Sequence, residues 1–131
     1  VEINPILEIK NYLGEIIYKK EIEKEKVIEP EYAYMIDDAL SDNQARSPIF
    51  GINSKLMIKD KTVAVKTGTT NSLKDNWCIG WTPSYLVATW VGNNDGQSMS
   101  WVASGVTGAT PIWNRIMTKI LESRENIECV K

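Results

Sequence analysis

Five consecutive residues combine side chains that suit an anionic ligand: Lys66, Thr67, Gly68, Thr69 and Thr70. A short apolar run that begins at Val63 leads into them and predicts a β-strand. Gly68 has no side chain, and a glycine inside a strand often marks a place where a ligand or another backbone comes close. Lys66 adds a positive charge, and the hydroxyls of Thr67 and Thr69 suit a carboxylate. We therefore predict a substrate-binding strand edge at Lys66–Thr69, to which an extended peptide adds as a further strand.

The alternation of side chains along this strand places polar groups on both of its faces. Successive side chains of a strand point to opposite faces. Val63 and Val65 therefore share one face with Thr67, whereas Ala64 shares the other with Lys66. Each face ends in a polar side chain.

The residue types of the motif leave other interpretations open. A threonine-rich strand end with a solvated lysine has the same composition, and short motifs have a high false-positive rate. A peptide-binding or interaction module would use the edge at Lys66 without chemistry. A phosphate-binding loop fits poorly, because it needs glycines that lead into a Lys-Ser/Thr pair, whereas Lys66 precedes Gly68.

The size, charge and composition of the chain exclude several classes of function. Its 131 residues suffice for one domain or part of one, and a hydrophobic content of 43% supports a packed core. The formal net charge of -2, without a basic stripe interleaved with aromatic residues, argues against a nucleic-acid partner. No apolar run approaches the ~18 residues of a transmembrane span. The amino terminus lacks the pattern of a secretory signal, so we predict no membrane contact by this chain.

The catalytic and metal-binding chemistry open to the chain is limited by its lack of histidine. A histidine metal site and Ser-His or Cys-His catalysis are excluded within these residues, and we predict no cofactor and no metal. The two cysteines, Cys78 and Cys129, do not make a disulfide framework. Cys78 lies in an apolar strand and is predicted to be buried, whereas Cys129 lies in a polar tail.

The sequence before the motif predicts a hairpin and one helix. Residues 5–10 and 15–19 are short apolar runs around a turn and predict a β-hairpin. The charges of residues 19–26 nearly cancel, with four lysines and three glutamates, which is typical of a solvated connector. From Pro30 to Leu40 the apolar residues recur at helical spacing and predict an amphipathic helix. A polar loop is predicted from Ser41 to Pro48. The apolar residues of the helix are Tyr32, Met35, Ile36, Ala39 and Leu40.

The sequence after the motif predicts two more strands and a final helix. Residues 76–82 and 85–92 alternate as strands and join the Val63 strand in an antiparallel meander. Both faces of the strand at 85–92 are apolar, so helices are expected to cover both sides of the sheet. After a turn-rich stretch, Thr110 is predicted as the N-cap of the last helix. That helix carries one wide apolar stripe, made of Ile112, Trp113, Ile116, Met117, Ile120 and Leu121.

The chain contains five tryptophans, and four of them are predicted to fill the core. Large aromatic residues in strands or on an apolar helix stripe usually do so. Trp101 is the exception, because it lies in the turn-rich stretch and is a candidate for ligand contact. The four predicted core residues are Trp77, Trp81, Trp90 and Trp113.

The residues from Val63 to Gly92 closely resemble the carboxy-terminal part of the transpeptidase domain of class A (bifunctional) penicillin-binding proteins, in the β-lactamase-like superfamily. The resemblance continues on both sides and covers nearly the whole chain. A string of this length is far more specific than a lone Lys-Thr-Gly. The segments that carry it are Lys66-Thr67-Gly68-Thr69-Thr70-Asn71, Asp75-Asn76-Trp77, Gly80-Trp81-Thr82-Pro83, Trp90-Val91-Gly92-Asn93, Leu40-Ser41-Asp42-Asn43-Gln44-Ala45-Arg46 and Ala109-Thr110-Pro111-Ile112-Trp113.

The resemblance implies an α+β fold with an antiparallel sheet and flanking helices, which is part of a transpeptidase domain. It implies an enzyme that crosslinks peptidoglycan stem peptides by serine acyl transfer and is acylated by β-lactams. In this family S-x-x-K, S-x-N or S-D-N, and K-T-G build the site. By position, Lys66 would set the electrostatics of the second-motif serine, and Thr67 would bind the substrate carboxylate. The backbone N–H of Thr69 would contribute to the oxyanion hole. The implied partners of the complete domain are the D-Ala-D-Ala end of the stem peptide and β-lactams.

The sequence departs from the family pattern at the nucleophile. None of its serines has a lysine three residues later, so S-x-x-K is absent. Ser41-Asp42-Asn43 spells the second motif, but class A proteins carry a Leu-Ser-Asp-Asn segment shortly before K-T-G that is not the catalytic motif. We therefore assign Ser41 to a loop after a helix. The isolated chain is predicted to have no transpeptidase or β-lactamase activity.

These residues are interpreted as the carboxy-terminal portion of a transpeptidase domain, over residues 1–131. Within it we expect a hairpin and connector at 1–28, the helices and sheet at 29–122, and a frayed tail at 123–131. Without the preceding half, apolar faces of the sheet and last helix should be exposed, so we expect a homodimer or swapped assembly. The parent is expected at the extracytoplasmic face of the bacterial membrane, anchored by an amino-terminal transmembrane segment outside these residues.

Overall fold

The computed structural model describes residues 5–21, 25–99 and 105–127. Within these ranges the chain has an α+β fold with two antiparallel sheets, as the sequence predicts. Trp101 and Cys129 lie outside the described residues, so the predictions for them do too. The elements are β1 (Glu8–Lys10), β2 (Ile16–Lys19), α1 (Pro30–Ser41), α2 (Asn43–Phe50), β3 (Ala64–Thr69), β4 (Asp75–Trp81), β5 (Leu86–Gly92) and α3 (Ala109–Leu121).

The predicted β-hairpin is confirmed by the antiparallel pairing of β1 and β2. Asn11 closes its turn, because Oδ1 accepts the N–H groups of Leu13 at 2.9 Å and Glu15 at 3.0 Å. Gly14 has a φ of 85°, a left-handed conformation that glycine adopts without steric cost. Every side chain of β1 and β2 is exposed, so the hairpin adds nothing to the core.

The prediction of a polar loop from Ser41 to Pro48 is wrong, because α2 occupies Asn43–Phe50. Asp42 separates α1 from α2 with an extended backbone and caps α2. Its Oδ1 accepts the N–H of Gln44 at 2.8 Å and of Ala45 at 2.9 Å. An N-cap carboxylate of this kind satisfies helix donors that have no intrahelical acceptor.

The structure accommodates a proline inside α2 by means of the neighbouring hydroxyl. Pro48 lacks the N–H that a helix would direct at the carbonyl of Gln44. Ser47 Oγ donates to that carbonyl over 2.8 Å and replaces the lost bond. Arg46 then ties the two helices together, since its Nη1 donates to the carbonyl of Leu40 in α1 over 2.9 Å.

The three central strands form the predicted antiparallel meander, in the order β3-β4-β5. Thr67 lies opposite Cys78, and Cys78 lies opposite Thr89. These three side chains therefore share one face of the sheet, on which α3 packs. Cys78 is fully buried there, which confirms its predicted place in the core.

The core lies between this face and α3. Trp113 of α3 packs flat over Gly80 of β4, where a Cβ would lie 2.4 Å from the indole carbon Cζ2. The segment before β3 also contributes, and Asn114 holds it by donating to the carbonyl of Lys55 over 2.9 Å. The buried apolar cluster comprises Leu56, Ile58, Val63, Val65, Cys78, Ala109, Trp113, Met117 and Leu121.

The prediction that Thr110 is the N-cap of the last helix is wrong. The helix begins at Ala109, so Thr110 already lies inside its first turn. The side chain that satisfies the first turn comes from β4, since Asn76 Oδ1 accepts the N–H of Ala109 over 2.9 Å. The helix start is thus fixed by a strand that lies 33 residues earlier in the chain.

Helices lie on both faces of the sheet, as predicted, but within the described residues the face opposite α3 is covered only in part and remains largely open. On this open face, α1 lies over the start of β3, and Asp37 accepts the indole N–H of Trp81 over 2.7 Å. Leu86 of β5 is exposed beyond it. Trp77 and Trp90 are also 41% and 40% exposed, which corrects their assignment to the core.

The helices α1 and α3 both have apolar residues that face solvent. The predicted amphipathic helix is confirmed by α1. No residue of α1 is buried, however, and Met35 is 64% exposed. In α3 the predicted stripe is divided between two environments. Trp113, Met117 and Leu121 are buried, whereas Ile112 and Ile116 are exposed.

The segment after α3, where a frayed tail is predicted, packs against the residues before β3. Asn126 Oδ1 accepts the N–H of Thr62 over 2.8 Å, and Lys61 Nζ donates to the carbonyl of Arg124. No helix within the described ranges is long and apolar enough to cross a membrane.

Candidate substrate-binding strand

The backbone of β3 has a free edge at the motif, because β4 pairs with its other side. Thr70 N–H donates to Asp75 O over 3.1 Å, which makes this a hydrogen-bonded pair. Such pairs alternate along an antiparallel ladder, so Lys66 and Gly68 direct their backbone groups toward β4. Thr67 and Thr69 direct theirs away from it. No other strand of the described residues pairs with β3 on that side.

The side chain of Lys66 lies on the open face of the sheet and is exposed. Its register partner is Ile79, which occupies the same face of β4. The ammonium group donates to the carbonyl oxygen of Thr67 over 2.6 Å. Lys66 therefore places its charge at the free edge, beside the backbone groups of the motif.

The hydroxyls of the motif lie on the other face, against a loop that precedes α3. Gly105 N–H donates to Thr69 Oγ1 over 3.0 Å. A Cβ on Gly105 would lie 2.8 Å from Thr67 Cβ, so the loop contacts β3 closely. Thr69 remains exposed, and its hydroxyl accepts one bond while it retains its own proton for donation.

The fold leaves room for a side chain at Gly68. A Cβ there would meet only Trp77 Cβ, at an ordinary contact distance of 3.8 Å. The glycine is therefore not required by packing within the described residues. Its predicted purpose, close approach of a ligand, stays a prediction.

The residues Ser41-Asp42-Asn43 have structural partners of their own. Ser41 Oγ donates to the carbonyl of Asp38 over 3.1 Å, in its own helix. Asn43 Nδ2 donates to the carbonyl of Ile52 over 2.8 Å. Ser41 lines a cavity of about 220 Å³ with Ala64, at the end of β3 opposite to Thr69. Ser41 is the last residue of α1, so its predicted place in a loop after the helix is wrong, and the structure does not bring this segment to the motif.

The sequence does not predict that three residues, Asn76, Gly105 and Thr110, support the motif. All three are buried, and they connect the start of α3 with β3 and β4. The stretch that contains Gly105 reads only as turn-rich, because its contacts depend on residues far away in the chain. A local signal exists in the two glycines that precede Thr110, at 105 and 108.

The described residues offer no evident metal site. Within residues 5–21, 25–99 and 105–127, no group of three or more His, Cys, Asp or Glu side chains is arranged to hold an ion.

Comparison with known proteins identifies the class to which this strand belongs. No family model matches the chain. Proteins named penicillin-binding protein 1A match it. The protein of Clostridium acetobutylicum is 34% identical over 104 residues, which cover 79% of this chain and 12% of that protein. That of Pseudomonas aeruginosa is 34% identical over 101 residues, with 76% and 12% covered.

A third relative, penicillin-binding protein 1A of Rickettsia bellii, is 33% identical over 96 residues, which cover 70% of this chain and 12% of that protein. The chain belongs to the penicillin-binding protein 1A family and corresponds to part of its transpeptidase region. It spans about 12% of the length of these relatives.

Proposed function

We propose that this chain supplies the substrate-binding strand of a peptidoglycan D,D-transpeptidase, which crosslinks stem peptides and is acylated by β-lactams. The observation that carries the proposal is the free edge of β3. Thr67 and Thr69 direct backbone groups outward there, beside the ammonium of Lys66. An extended peptide that ends in a carboxylate fits such an edge by strand addition.

In the proposed reaction a serine outside these 131 residues attacks the carbonyl carbon of the penultimate D-alanine. The new C–O bond forms as the C–N bond to the terminal D-alanine breaks, and that D-alanine leaves with a proton on its nitrogen. An amine of a second stem peptide then attacks the ester, which releases the serine with its proton restored. A β-lactam acylates the same serine by opening of its ring amide.

The proposed roles of the motif follow from where each group points. The outward N–H of Thr69 stabilises the oxyanion, because a preorganised donor favours the charge that develops in the transition state. The hydroxyls of Thr67 and Thr69 bind the substrate carboxylate, and Lys66 sets the local electrostatics. When a peptide strand adds, its N–H competes with Lys66 Nζ for the Thr67 carbonyl. The ammonium is then free to turn toward the open face.

The proposal is tested by transfer of the motif into a relative. We expect a chimera, in which residues 30–121 replace the matching segment of the Clostridium acetobutylicum protein, to be labelled covalently by fluorescent penicillin. Lys66→Ala should reduce its labelling rate about 100-fold, a loss of the size seen when one electrostatic contact to a transition state is removed. Lys74→Ala, at another exposed lysine, should leave it unchanged. A folded chimera without labelling would contradict the proposal.

The alternative function, a peptide-binding module without catalysis, is separated by experiments on the isolated chain. We expect no labelling of this chain by fluorescent penicillin, because no serine is followed three residues later by lysine. A peptide that ends in D-Ala-D-Ala is titrated while the amide signals of Thr67 and Thr69 are followed. Saturable binding by the isolated chain favours the module, whereas absence of binding favours a site that needs further residues.

We place the parent protein at the extracytoplasmic face of the bacterial membrane, where peptidoglycan is assembled. The exposed tryptophans of the open face support association of this chain with a second copy.

A further inference from the structure

A chain of hydrogen bonds links the first turn of α3 to the hydroxyl of Thr69. Thr110 is fully buried, and both its N–H and its Oγ1 donate to the carbonyl of Gly105, over 3.0 and 2.5 Å. Gly105 in turn donates its N–H to Thr69 Oγ1 over 3.0 Å. Gly105 is thus held at its carbonyl by Thr110 and contacts the motif through its own N–H.

The loop and β3 are in such close contact that the position of Gly105 affects that of the motif. A Cβ at Gly105 would lie 2.8 Å from Thr67 Cβ and 3.3 Å from the carbonyl oxygen of Gly68. Only a residue without a side chain can therefore bring its N–H to Thr69. Since Gly105 has no side chain to lock it, the two bonds from Thr110 hold it in place together with its close packing against β3 and β4.

The bond from Gly105 has a directional effect on Thr69. A hydroxyl has two lone pairs and one proton in a roughly tetrahedral arrangement. When Gly105 occupies a lone pair on the α3 side, the proton is confined to directions away from that loop. Thr69 is exposed at the free edge of β3, so its proton is left for an anion bound there.

We propose that Thr110 is a positioning residue, which fixes Gly105 and thereby sets the rotamer and the donor direction of the Thr69 hydroxyl. The use of that hydroxyl toward a carboxylate rests on the proposed function, whereas its orientation by Thr110 does not. Thr110 itself is buried and contacts no ligand at the edge.

The orientation is tested without a ligand, by NMR measurement of three-bond couplings that report χ1 of Thr69. We expect one populated rotamer in the unmodified chain and in Thr110→Ser, which keeps the hydroxyl. Thr110→Val should average the couplings over two or more rotamers. The matched control is Thr89→Val, because Thr89 is also buried and its Oγ1 donates to the carbonyl of Ala109 over 3.0 Å and not to that of Gly105.

The number of populated Thr69 rotamers shows whether Thr110 positions the Thr69 side chain. A single Thr69 rotamer in a folded Thr110→Val chain overturns it, as does equal averaging in Thr89→Val. If Thr110→Val does not fold, Gly105→Ala is measured instead, because its Cβ displaces the same N–H from the opposite side. A single Thr69 rotamer in Gly105→Ala likewise overturns the inference.

The consequence for binding is tested in the chimera by the concentration dependence of penicillin acylation. Thr110→Val should raise the half-saturating concentration about tenfold, the effect of losing ~1.4 kcal/mol from one hydrogen bond to a charged group. The limiting rate should change less than twofold, and Thr110→Ser should restore the binding. A purely structural defect would lower the limiting rate and the folded fraction together. If rotamers respond but no chimera is acylated, the proposed function fails and the positioning by Thr110 stands.

Discussion

Asn76 of β4 accepts the N–H of Ala109, the first residue of α3, over 2.9 Å, and both residues are fully buried. The other end of the same amide, Nδ2, has no hydrogen-bond partner among the residues that the structure describes. Asn76 thus fixes the start of the helix while one of its own donors stays unpaired. The bond joins the sheet to the helix at the point from which the loop reaches Thr69.

Removal of the Asn76 side chain is expected to destabilise the chain. Asn76→Ala leaves the buried N–H of Ala109 without its acceptor, and we expect a loss of about 1–3 kcal/mol in the free energy of unfolding. Denaturant unfolding followed by circular dichroism measures it. Asn94→Ala, at an exposed turn position, should stay within about 0.5 kcal/mol of the unmodified chain. Equal stability of the two variants would show that the bond between Asn76 and Ala109 contributes nothing to the free energy of unfolding.

The two glycines of neighbouring strands are expected to respond oppositely to substitution by alanine. Gly80→Ala brings a Cβ to 2.4 Å from Trp113, so we expect a loss of about 1–3 kcal/mol or more from overpacking. Gly68→Ala meets only a contact of 3.8 Å, and its stability should be unchanged or slightly raised. In the penicillin-labelled chimera, however, Gly68→Ala should slow acylation. An unchanged labelling rate would contradict the proposal that Gly68 allows close approach of a ligand.

The bond between Asp37 and Trp81 is expected to hold α1 on the open face. Its length is 2.7 Å in a partly buried setting, and its acceptor is charged. We expect Asp37→Ala to cost about 1.5–3 kcal/mol and Asp37→Asn, which keeps an oxygen acceptor, to cost less. Asp38→Ala, at the exposed neighbouring carboxylate, is the matched control. Unfolding followed by tryptophan fluorescence distinguishes them, and equal losses at both positions would argue against the bond.

Ionisation of the Cys78 thiol is expected to make the stability of the chain depend on pH in the alkaline range. Burial raises the pKa of its thiol, and the hydrogen bond with Thr110 lowers it by a smaller amount. Above the ordinary thiol pKa the unfolded chain releases this proton while the folded chain keeps it, so stability falls as pH rises. The contribution is complete below the unfolded pKa and is lost as pH passes through the raised folded pKa.

A comparison of unfolding curves at rising pH measures this effect. Cys78→Ala should reduce the slope of stability against pH in that range. The two variants share every other titratable group, so the difference between the two slopes isolates the thiol. Identical slopes would mean that the thiol ionises equally in both states.

Self-association through the open face is expected in solution. Trp77 and Trp90 are register partners on adjacent strands, and both are exposed. Sedimentation velocity at rising concentration should reveal a dimer, and Trp90→Lys should shift it toward monomer because the charge resists burial. Leu13→Lys, on the exposed hairpin turn, is the control for a general gain in solubility. A monomer at every concentration would refute the expectation.

The strands of this chain are predictable because their signals are local. Alternation and turn residues locate β3, β4 and β5, and they place Lys66 and Thr67 on opposite faces. The helix α2 is missed because Pro48 and the polar residues around it are typical of a loop. Its stability comes from Asp42 at the cap and from Ser47, which bonds the carbonyl that the proline cannot reach.

The support of the motif is not predictable in the same way. Gly105 and Thr69 are 36 residues apart, and the donor is a backbone N–H that any residue carries. The exposure of Trp77 is missed for another reason. Apolar periodicity reports which side chains avoid water, and it does not report which neighbours are present to cover them.

The backbone N–H groups of Thr67 and Thr69 point away from β4, so β3 has two classes of amide that should exchange hydrogen with solvent at different rates. The N–H groups of Lys66 and Gly68 are bonded to β4 and should exchange with deuterium slowly, as amides of a sheet interior do. Those of Thr67 and Thr69 should exchange quickly in the same experiment. An added peptide strand would slow only the second class. The strand therefore carries its own reference signal, against which occupancy of the edge can be measured residue by residue.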